Sequence, residues 1–511
     1  MIKFVDSLLN KVTIYRLILY FLLLLVGIAS VFGFFGMLPY SPLDLFINLF
    51  VSIATAYISN YLFSKIFKAS TNVESVFITA LILVLIMPVK FPTNTIFIAL
   101  ASVLAMSSKY FLAINKRHIF NPAAFGAVIM FFISGQAAVW WIGTPIMFPF
   151  VLMGGLLMLR KIRRGKLVFN FLLVYLLIIG ADLIFRTGSL LSAISAWQIS
   201  VVDSALLFFM LVMLIEPLTS PATKNLQKYY GYIVAFFYIA PQLRIIPFAI
   251  APEMALCIGN IFAYILSPNY RLDLPLKWKK QLSPDIFEFA FDKPQKIKFL
   301  PGQYMEWTLQ HKNIDSRGNR RYFSIASSPT EKEIAIAVKF YNPSSSYKKT
   351  LVNLVKGQKI IAAQVAGDFI LPKDLKKPIV FIAGGIGITP FRSMIQFIID
   401  RKLQSNIVLF YSNRAVNEIL FSGIFQKAED YGVKTIYTLT DINKIPSDWT
   451  GEKGYITESM IARYAKDYVK RTFYISGPQL MVQNFEKLLL GMKVKKGNII
   501  TDFFPGYSEA K

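Results

Sequence analysis

The first roughly 270 residues are the strongest constraint on what this chain can fold into, because a run that apolar cannot be kept in water. Segments such as LILYFLLLLVGIASVFGFFGML carry no charge, whereas later ones such as KWKKQLSPDIFEFAFDKPQKIKF alternate like a soluble surface. The texture changes near SPNYRLDLPLKWKK, Ser267 to Lys280. Over all 511 residues the chain is 55% hydrophobic and 15% aromatic, too apolar for an ordinary soluble protein of this length. Two folding regimes are therefore expected, a membrane half in contact with the lipid bilayer and a water-exposed half.

A helix needs about 20 residues to cross the hydrocarbon core, fewer when it is short and buried in a bundle. The apolar runs place about ten spans near 14–35, 43–64, 74–88, 93–110, 121–139, 143–160, 167–184, 201–217, 229–246 and 248–267. Lys65, Lys68, Lys109, Lys116, Arg117, Arg160, Lys161, Arg163, Arg164, Lys166, Lys224 and Lys228 follow even-numbered spans, and Lys3, Lys11 and Arg16 precede the first. The opposite loops hold only Lys90, Arg186 and Arg244. Lys and Arg collect on the cytoplasmic side, so the N-terminus and everything after residue 270 are expected in the cytoplasm, with the protein in the cell (inner) membrane. No cleavable signal is expected, since the first apolar run from Ile14 is long enough to span and has no small-residue cleavage site at its end. The net charge of +26 is assigned to topology and lipid contact rather than to nucleic acid.

One cysteine, Cys257, rules out an internal disulfide and a cysteine-ligated iron–sulfur cluster, and no metal site is expected. Two histidines, His118 and His311, cannot supply the paired intramembrane ligands of a haem-carrying reductase. Any electron carrier within the membrane must then be organic, a flavin or a quinone.

The water-exposed half divides again. From Trp278 to Leu371, runs such as IFEFAF, YMEWTL and EIAIAVKFY alternate between turn residues, the pattern of a small antiparallel barrel. From Pro378, PIVFIAGGIGITPFRSMIQFIID reads as a buried strand, a glycine turn and a helix, and NIVLFYSNR as the next strand of a parallel sheet. The expected fold is a polytopic α-helical membrane domain (1–270) fused to a β-barrel domain (271–375) and an α/β Rossmann-like domain (376–511), which the resemblance described next makes FAD-binding and NAD(P)-binding. Gly384, Gly385 and Gly387 let backbone approach a pyrophosphate at the start of the following helix.

RYFS, SSSYKK, AGGIGITP, YSNR, ISGPQLMV and the terminal DFFPGY follow one another as in the ferredoxin–NADP reductase superfamily, which this half resembles over its full length. The resemblance implies FAD bound by Arg321 at its diphosphate, with Tyr322 in the same strand, Phe323 against the isoalloxazine and Ser324 near N5 as a catalytic group. Ser346, Tyr347 and Lys348 fall where the superfamily contacts the diphosphate. Gly384, Gly385, Gly387, Thr389 and Pro390 correspond to the nicotinamide-cofactor turn, with Gly477 and Pro478 on the facing lip. Phe504, given a catalytic role, or Tyr507 is expected to cover the flavin until nicotinamide displaces it. Ser476 stands where many members have cysteine, and Phe323 where tyrosine is commoner. Between NADH and NADPH the sequence leaves the choice open; Ser412 with Arg414 could accept a 2′-phosphate.

In the membrane half, ESVFITALILVLIMP (74–88), KRHIFNPAAFGAV (116–128) and EPLTSPATKN (216–225) stand out. Each has a structural reading of its own, such as Asn121–Pro122 opening a helix. Together they resemble the RnfD/NqrB family, the paired membrane flavoproteins of the Rnf complex and of the sodium-pumping NADH:quinone reductase. The Ser-Gly-Ala-Thr attachment sequence of that family is absent, so an FMN or riboflavin here is expected to be non-covalent, held by Thr79, Asn121, Thr219 and Thr223. The carboxylates Glu74, Asp182, Glu216 and Glu253 lie within or beside the spans, where they either hold helices together or form an ion path. The expected function is transfer from cytoplasmic NAD(P)H through FAD to a membrane flavin and an extracytoplasmic acceptor, with room for additional redox subunits. Quinone reduction in the bilayer and redox-driven sodium or proton transport are the alternatives.

The histidine count has a spectroscopic consequence. Purified protein should be yellow, show no haem Soret band, and have its flavin absorbance bleached by reduced nicotinamide. Denaturing gels should show no flavin fluorescence on the polypeptide.

Overall fold

The computed structural model describes residues 5, 9, 12–69, 72–114, 117–243, 251–266, 271–295, 297–315, 317–372 and 374–502. Contacts divide the chain into two units, 1–270 and 271–511.

The first unit is helical: α1 (Ile14–Phe34), α2 (Pro42–Ile66), α3 (Val73–Ile86), α4 (Thr95–Phe111), α5 (Pro122–Ser134), α6 (Phe148–Ile162), α7 (Gly165–Thr187), α8 (Leu190–Val202), α9 (Leu206–Met213), α10 (Lys224–Ile239) and α11 (Pro252–Leu266). Local chemistry sets several boundaries. Ser41 and Asp44 form a reciprocal capping box before α2, with Pro42 in the first turn. Asn121 caps α5 through Ala124 N–H at 3.0 Å, and Gly135 ends it in the left-handed conformation, φ +71°.

Of the described helices, α1, α2 and α7 are long and apolar enough to cross a membrane, and the α8–α9 pair, bent by 64°, makes a fourth if counted as one span. By length and composition this is fewer than the about ten expected. The difference lies in helix length: α3, with 14 residues, rises about 21 Å, short of the hydrocarbon thickness. The expected span at 201–217 also needs correction. Its helix starts at Leu206, and the preceding stretch, left between the expected spans at 167–184 and 201–217, forms α8 with Ser189 as N-cap.

Helix α2 is amphipathic in the opposite sense to a soluble helix. Asn48, Ser52, Ser59 and Asn60 face the interior, whereas Leu43, Phe46, Phe50, Ile58 and Leu62 are exposed. Three of these side chains are hydrogen-bonded: Asn48 Nδ2 donates to Val89 O at 2.6 Å, Ser52 Oγ lies 2.8 Å from Ser102 Oγ, and Asn60 Oδ1 accepts from Tyr110 at 2.7 Å. In water such a helix would expose its apolar face at a cost of about 25 cal/mol per Å²; in lipid that face costs nothing. Bonds also gather one end of the bundle. Arg16 at the start of α1 pairs with Glu74 at the start of α3 (3.1 Å), and Lys109 near the end of α4 donates to Ser75 Oγ (3.1 Å).

The second unit opens with a six-stranded antiparallel barrel of β1 (Arg271–Ser283), β2 (Ile286–Asp292), β3 (Tyr304–Thr308), β4 (Arg320–Ser324), β5 (Glu333–Lys339) and β6 (Lys359–Ala366), in the order β4–β3–β6–β1–β2–β5. Just past β4, Ala326 N–H donates to Ala335 O on β5 at 2.8 Å, which closes the barrel. Phe289, Phe291, Trp307, Ile336 and Tyr347 pack its core; Tyr347 comes from the short α12 (Ser346–Val352).

A parallel sheet follows: β7 (Ile379–Gly384), β8 (Ile407–Asn413), β9 (Val433–Leu439), β10 (Glu452–Lys453), β11 (Thr472–Ser476) and β12 (Ile499–Asp502), ordered β10–β9–β8–β7–β11–β12. Every residue of β7 is buried, as a central strand covered on both faces must be. The helix α13 (Thr389–Asp400) lies on one face and α14 (Gln479–Gly491) on the other, each in a separate core. Strand order reverses between β7 and β11, which makes their C-terminal ends the topological switch point.

Asn260 on α11 ties several segments of the helical unit together. It is fully buried, accepts from Asn121 N–H (2.8 Å), and donates to Thr219 O (3.0 Å) and the Tyr230 hydroxyl (3.1 Å). Asn260→Leu should cost about 2–4 kcal/mol by leaving these groups unpaired, read as a lower Tm in detergent with FAD content unchanged.

Candidate active site

The motif strand β4 pairs with β3 so that Arg321 opposes Trp307, Phe323 opposes Met305 and Ser324 opposes Tyr304. Tyr322 turns its hydroxyl to Glu306 Oε2 at 2.9 Å. Arg321 is buried; its guanidinium lies 4.9 Å over the Tyr347 ring and donates to the carbonyls of Arg317 (2.9 Å), Gly318 (3.1 Å) and Arg320 (2.6 Å). The Phe323 and Tyr347 rings are 6.2 Å apart. Arg321, Phe323, Tyr347 and Lys348, distant in sequence, are thus brought together around the start of α12.

Three residues not foreseen from sequence also meet there. Asp315 accepts from Ser346 N–H at 2.8 Å and pairs with Arg317 at 2.8 Å. Burial works against its charge, but the bonds from Arg317 and Ser346 outweigh that and hold the carboxyl at about 2. His311 Nδ1 lies 2.9 Å from Leu309 O, and a carbonyl only accepts, so Nδ1 carries the hydrogen. In the neutral ring Nε2 therefore accepts from the Ser346 hydroxyl, 2.9 Å away. The nearest sequence signal was a Ser-Arg-Gly turn, which reads as an ordinary loop. Burial, then the charges of Arg321 and Arg317, bring the Lys348 ammonium down to about 8.

These residues fit a flavin diphosphate. The Arg321 and Arg317 guanidinium groups act on the charge of the Lys348 ammonium, and the Tyr347 hydroxyl is buried with no hydrogen-bond partner among the described residues.

The glycine turn after β7 is built by close approach. A β-carbon on Gly387 would lie 2.4 Å from Ser476 O and 2.7 Å from Gly477 Cα, and one on Gly384 would lie 2.2 Å from Met481 Sδ. Gly385, at φ +52°, faces open space. Gly384, Gly385, Gly387, Thr389 and Pro390 therefore form one lip of the switch point, and Ser476, Gly477 and Pro478 the other. Ser412 pairs in register with Gly384, beside the turn, and Arg414 is exposed just beyond it. The cradle suits a pyrophosphate, which needs backbone unscreened by side chains. Phe504 and Tyr507 lie outside the described residues.

In the first unit, Asn121 Nδ2 and Thr219 Oγ1 both donate to Glu216 Oε2, at 2.8 and 2.9 Å. Thr79 Oγ1 accepts from Lys109 at 3.2 Å. Thr223 stands at the N-cap of α10 without a side-chain cap bond. The FNPAA and EPLTSPAT segments thus share one buried polar cluster, and Thr79 meets the α4 lysine.

Residues 381–487 match the oxidoreductase NAD-binding domain family. A glycine betaine monooxygenase reductase subunit from Chromohalobacter salexigens is 26% identical over 208 residues, 40% of this chain and 55% of that protein. NADH-cytochrome b5 reductase 1 from Ajellomyces capsulatus is 27% identical over 272 residues, 50% of this chain and 86% of that one. The chain therefore spans about half the length of the first relative and most of the second. Among solved structures, the flavohaem-like FAD/NAD-binding domain of a Vibrio cholerae nitric oxide dioxygenase aligns with 45% of this chain and 98% of its own, at 21% identity and TM-score 0.40. The C-terminal half is thus similar to the reductase units of known oxidoreductases, with an NAD-binding domain match at residues 381–487.

Arg321→Ala should abolish FAD retention without unfolding the helical unit. In the unsubstituted apoprotein, an anionic diphosphate favours charged Lys348. FAD affinity should accordingly be greatest below pH 8 and fall as pH rises through about 8. Lys348→Met should remove that pH dependence in a fluorescence titration.

Proposed function

We propose that this protein carries electrons from cytoplasmic NAD(P)H into, and across, a membrane. The observation that carries the reading is the joining, in one chain, of a nicotinamide–flavin unit to a helical unit that buries Asn48, Ser52 and Asn60 while exposing Phe46, Phe50 and Leu62. Three or four helices have the length to span on their own; the shorter apolar ones complete about ten crossings inside the bundle, where snorkelling and local thinning make up length. The basic residues after even-numbered spans support a cytoplasmic second unit, on the side where reduced nicotinamide is found.

Bound FAD supplies a group that accepts two electrons together and releases them singly. The protein's part is positional. Arg321, Lys348 and the start of α12 hold the diphosphate once the Asp315 side of the 310–319 loop gives way, and Ser324 hydrogen-bonds beside the reacting edge. The turn from Gly384 to Pro390, with Gly477 and Pro478 facing it, holds the nicotinamide cofactor; Ser412 and Arg414 contact its adenosine end. The likeness to reductase subunits supports onward transfer to a separate redox group. In this chain that group is a non-covalent flavin near Asn121, Thr79, Thr219 and Thr223, supported by the resemblance to the Rnf and sodium-pumping flavoproteins and by the Glu216-centred cluster.

Vesicles with the reductase unit facing outward test the direction. NAD(P)H added outside should reduce an impermeant acceptor trapped in the lumen without added quinone, and a fragment 271–511 should reduce soluble dyes but leave the trapped acceptor untouched. If the whole protein reduces added quinone rapidly and never reaches the lumen, the quinone reading replaces export.

A further inference from the structure

Arg392 is a charge in an unfavourable place that the proposed function does not use. It lies in the first turns of α13, where the helix dipole disfavours a cation, yet its side chain is only 11% exposed. Something must hold it there. Its Nη2 donates to Glu331 Oε1 at 2.9 Å, its Nη1 pairs with Glu331 Oε2, and Nη1 also donates to Ala326 O at 3.1 Å. A bidentate guanidinium–carboxylate pair of this kind fixes orientation as well as distance.

The two ends of this contact are what give it significance. Ala326 lies two residues beyond Ser324, at the end of the flavin strand, and Arg392 lies three residues beyond Thr389, at the end of the glycine turn. The same segments are joined twice more. Ser393 Oγ donates to Ser327 O at 2.7 Å, and Thr330 Oγ1 donates to Asp400 at the far end of α13. Glu331 is itself oriented, since it also accepts from Ser328 N–H. The segment 326–331 is therefore a bracket between the barrel strand that presents Ser324 and the helix that follows the nicotinamide turn.

We propose that Arg392 is a positioning residue for hydride transfer, pinned by Glu331 and the Ala326 carbonyl so that the flavin strand and the nicotinamide turn keep one register. This rests on the assignment of those two segments to flavin and nicotinamide. Arg392 touches neither cofactor in this scheme. Its effect is geometric, and a displacement on the order of 1 Å between reacting atoms is enough to slow such a step by about 100-fold.

The test uses the full-length holoprotein with Arg392→Met, Arg392→Lys and Glu331→Gln. FAD content, the long-wavelength charge-transfer absorbance formed with NADH or NADPH, and the rapid-mixing flavin reduction rate are measured for each. FAD content should be unchanged. Charge-transfer absorbance should fall, and the limiting reduction rate should drop about 10- to 100-fold in Arg392→Met with little change in nicotinamide Kd. Arg392→Lys, which keeps the charge but loses the fork, should recover only part of the rate, and Arg392→Met combined with Glu331→Gln should be no slower than Arg392→Met alone. A purely structural salt bridge would lower Tm and leave charge-transfer absorbance and limiting rate untouched, and that result overturns the proposal. Should Arg392→Met not fold, Glu331→Gln decides, by the same two readings. Failure of the underlying assignment is distinguishable: the unsubstituted protein would then show no flavin reduction by nicotinamide at all.

Discussion

Gly387 has no room for a β-carbon. The Ser476 carbonyl stands 2.4 Å from where that atom would be, so the two loops at the switch point of the parallel sheet touch backbone to backbone. Any side chain there would wedge β7 from β11 or push the Gly384–Ile388 turn out of line with α13. That contact places Ser476, Gly477 and Pro478 opposite Gly384 and Gly385 and leaves an uncovered strip of main chain, the surface a dinucleotide pyrophosphate needs. The barrel is then brought to the same place by the bracket of Glu331, Ala326 and Ser327 on α13.

The two units distribute polar and apolar residues in opposite ways under the same rules. In the second, Ile, Phe and Val fill cores on both faces of the sheet, and charged residues sit outside or in pairs such as Arg471 with Asp467. In the first, interior polar residues such as Asn121, Glu216, Thr219 and Asn260 find partners within the bundle, while Phe46, Phe50 and Leu62 of α2 turn outward. Buried polar groups are tolerable only when hydrogen-bonded, and the cluster of Asn121, Glu216, Thr219, Asn260 and Tyr230 meets that condition through mutual bonds. Such a cluster joins α5, α10 and α11 to the segment that follows α9 far more specifically than dispersion contacts could.

On the proposed diphosphate side the protein's own groups bond most of the charged side chains. Arg321 donates to three carbonyls of the 317–320 turn, and the Asp315 carboxylate takes the Ser346 N–H at the start of α12. The carboxylate is an anion at the end of a helix, electrically the same kind of partner as a phosphate. Charges of both signs therefore already meet at the start of α12, with Arg317 paired to Asp315 and Arg321 turned to main-chain carbonyls.

Motifs and periodicity were enough to read the barrel followed by the parallel sheet, because a strand period of two and a strand–glycine–helix turn are local patterns. The RYFS strand and the glycine turn were legible for the same reason, since each concentrates its chemistry within a few consecutive residues. Helix extents in the first unit were less so: composition marks where apolar residues lie, but Ser189 starting a new helix and the bend before Leu206 depend on what each segment packs against. Asp315, His311, Glu331 and Arg392 could not be recognised at all. Each is an ordinary polar residue in its own neighbourhood, and its partner lies elsewhere: 31 residues away for Asp315 with Ser346, 61 for Arg392 with Glu331. Local order determined the kinds of element and the chemistry they carry. Only folding decided which charges meet, because pairing across such separations depends on how the strands and helices close around one another.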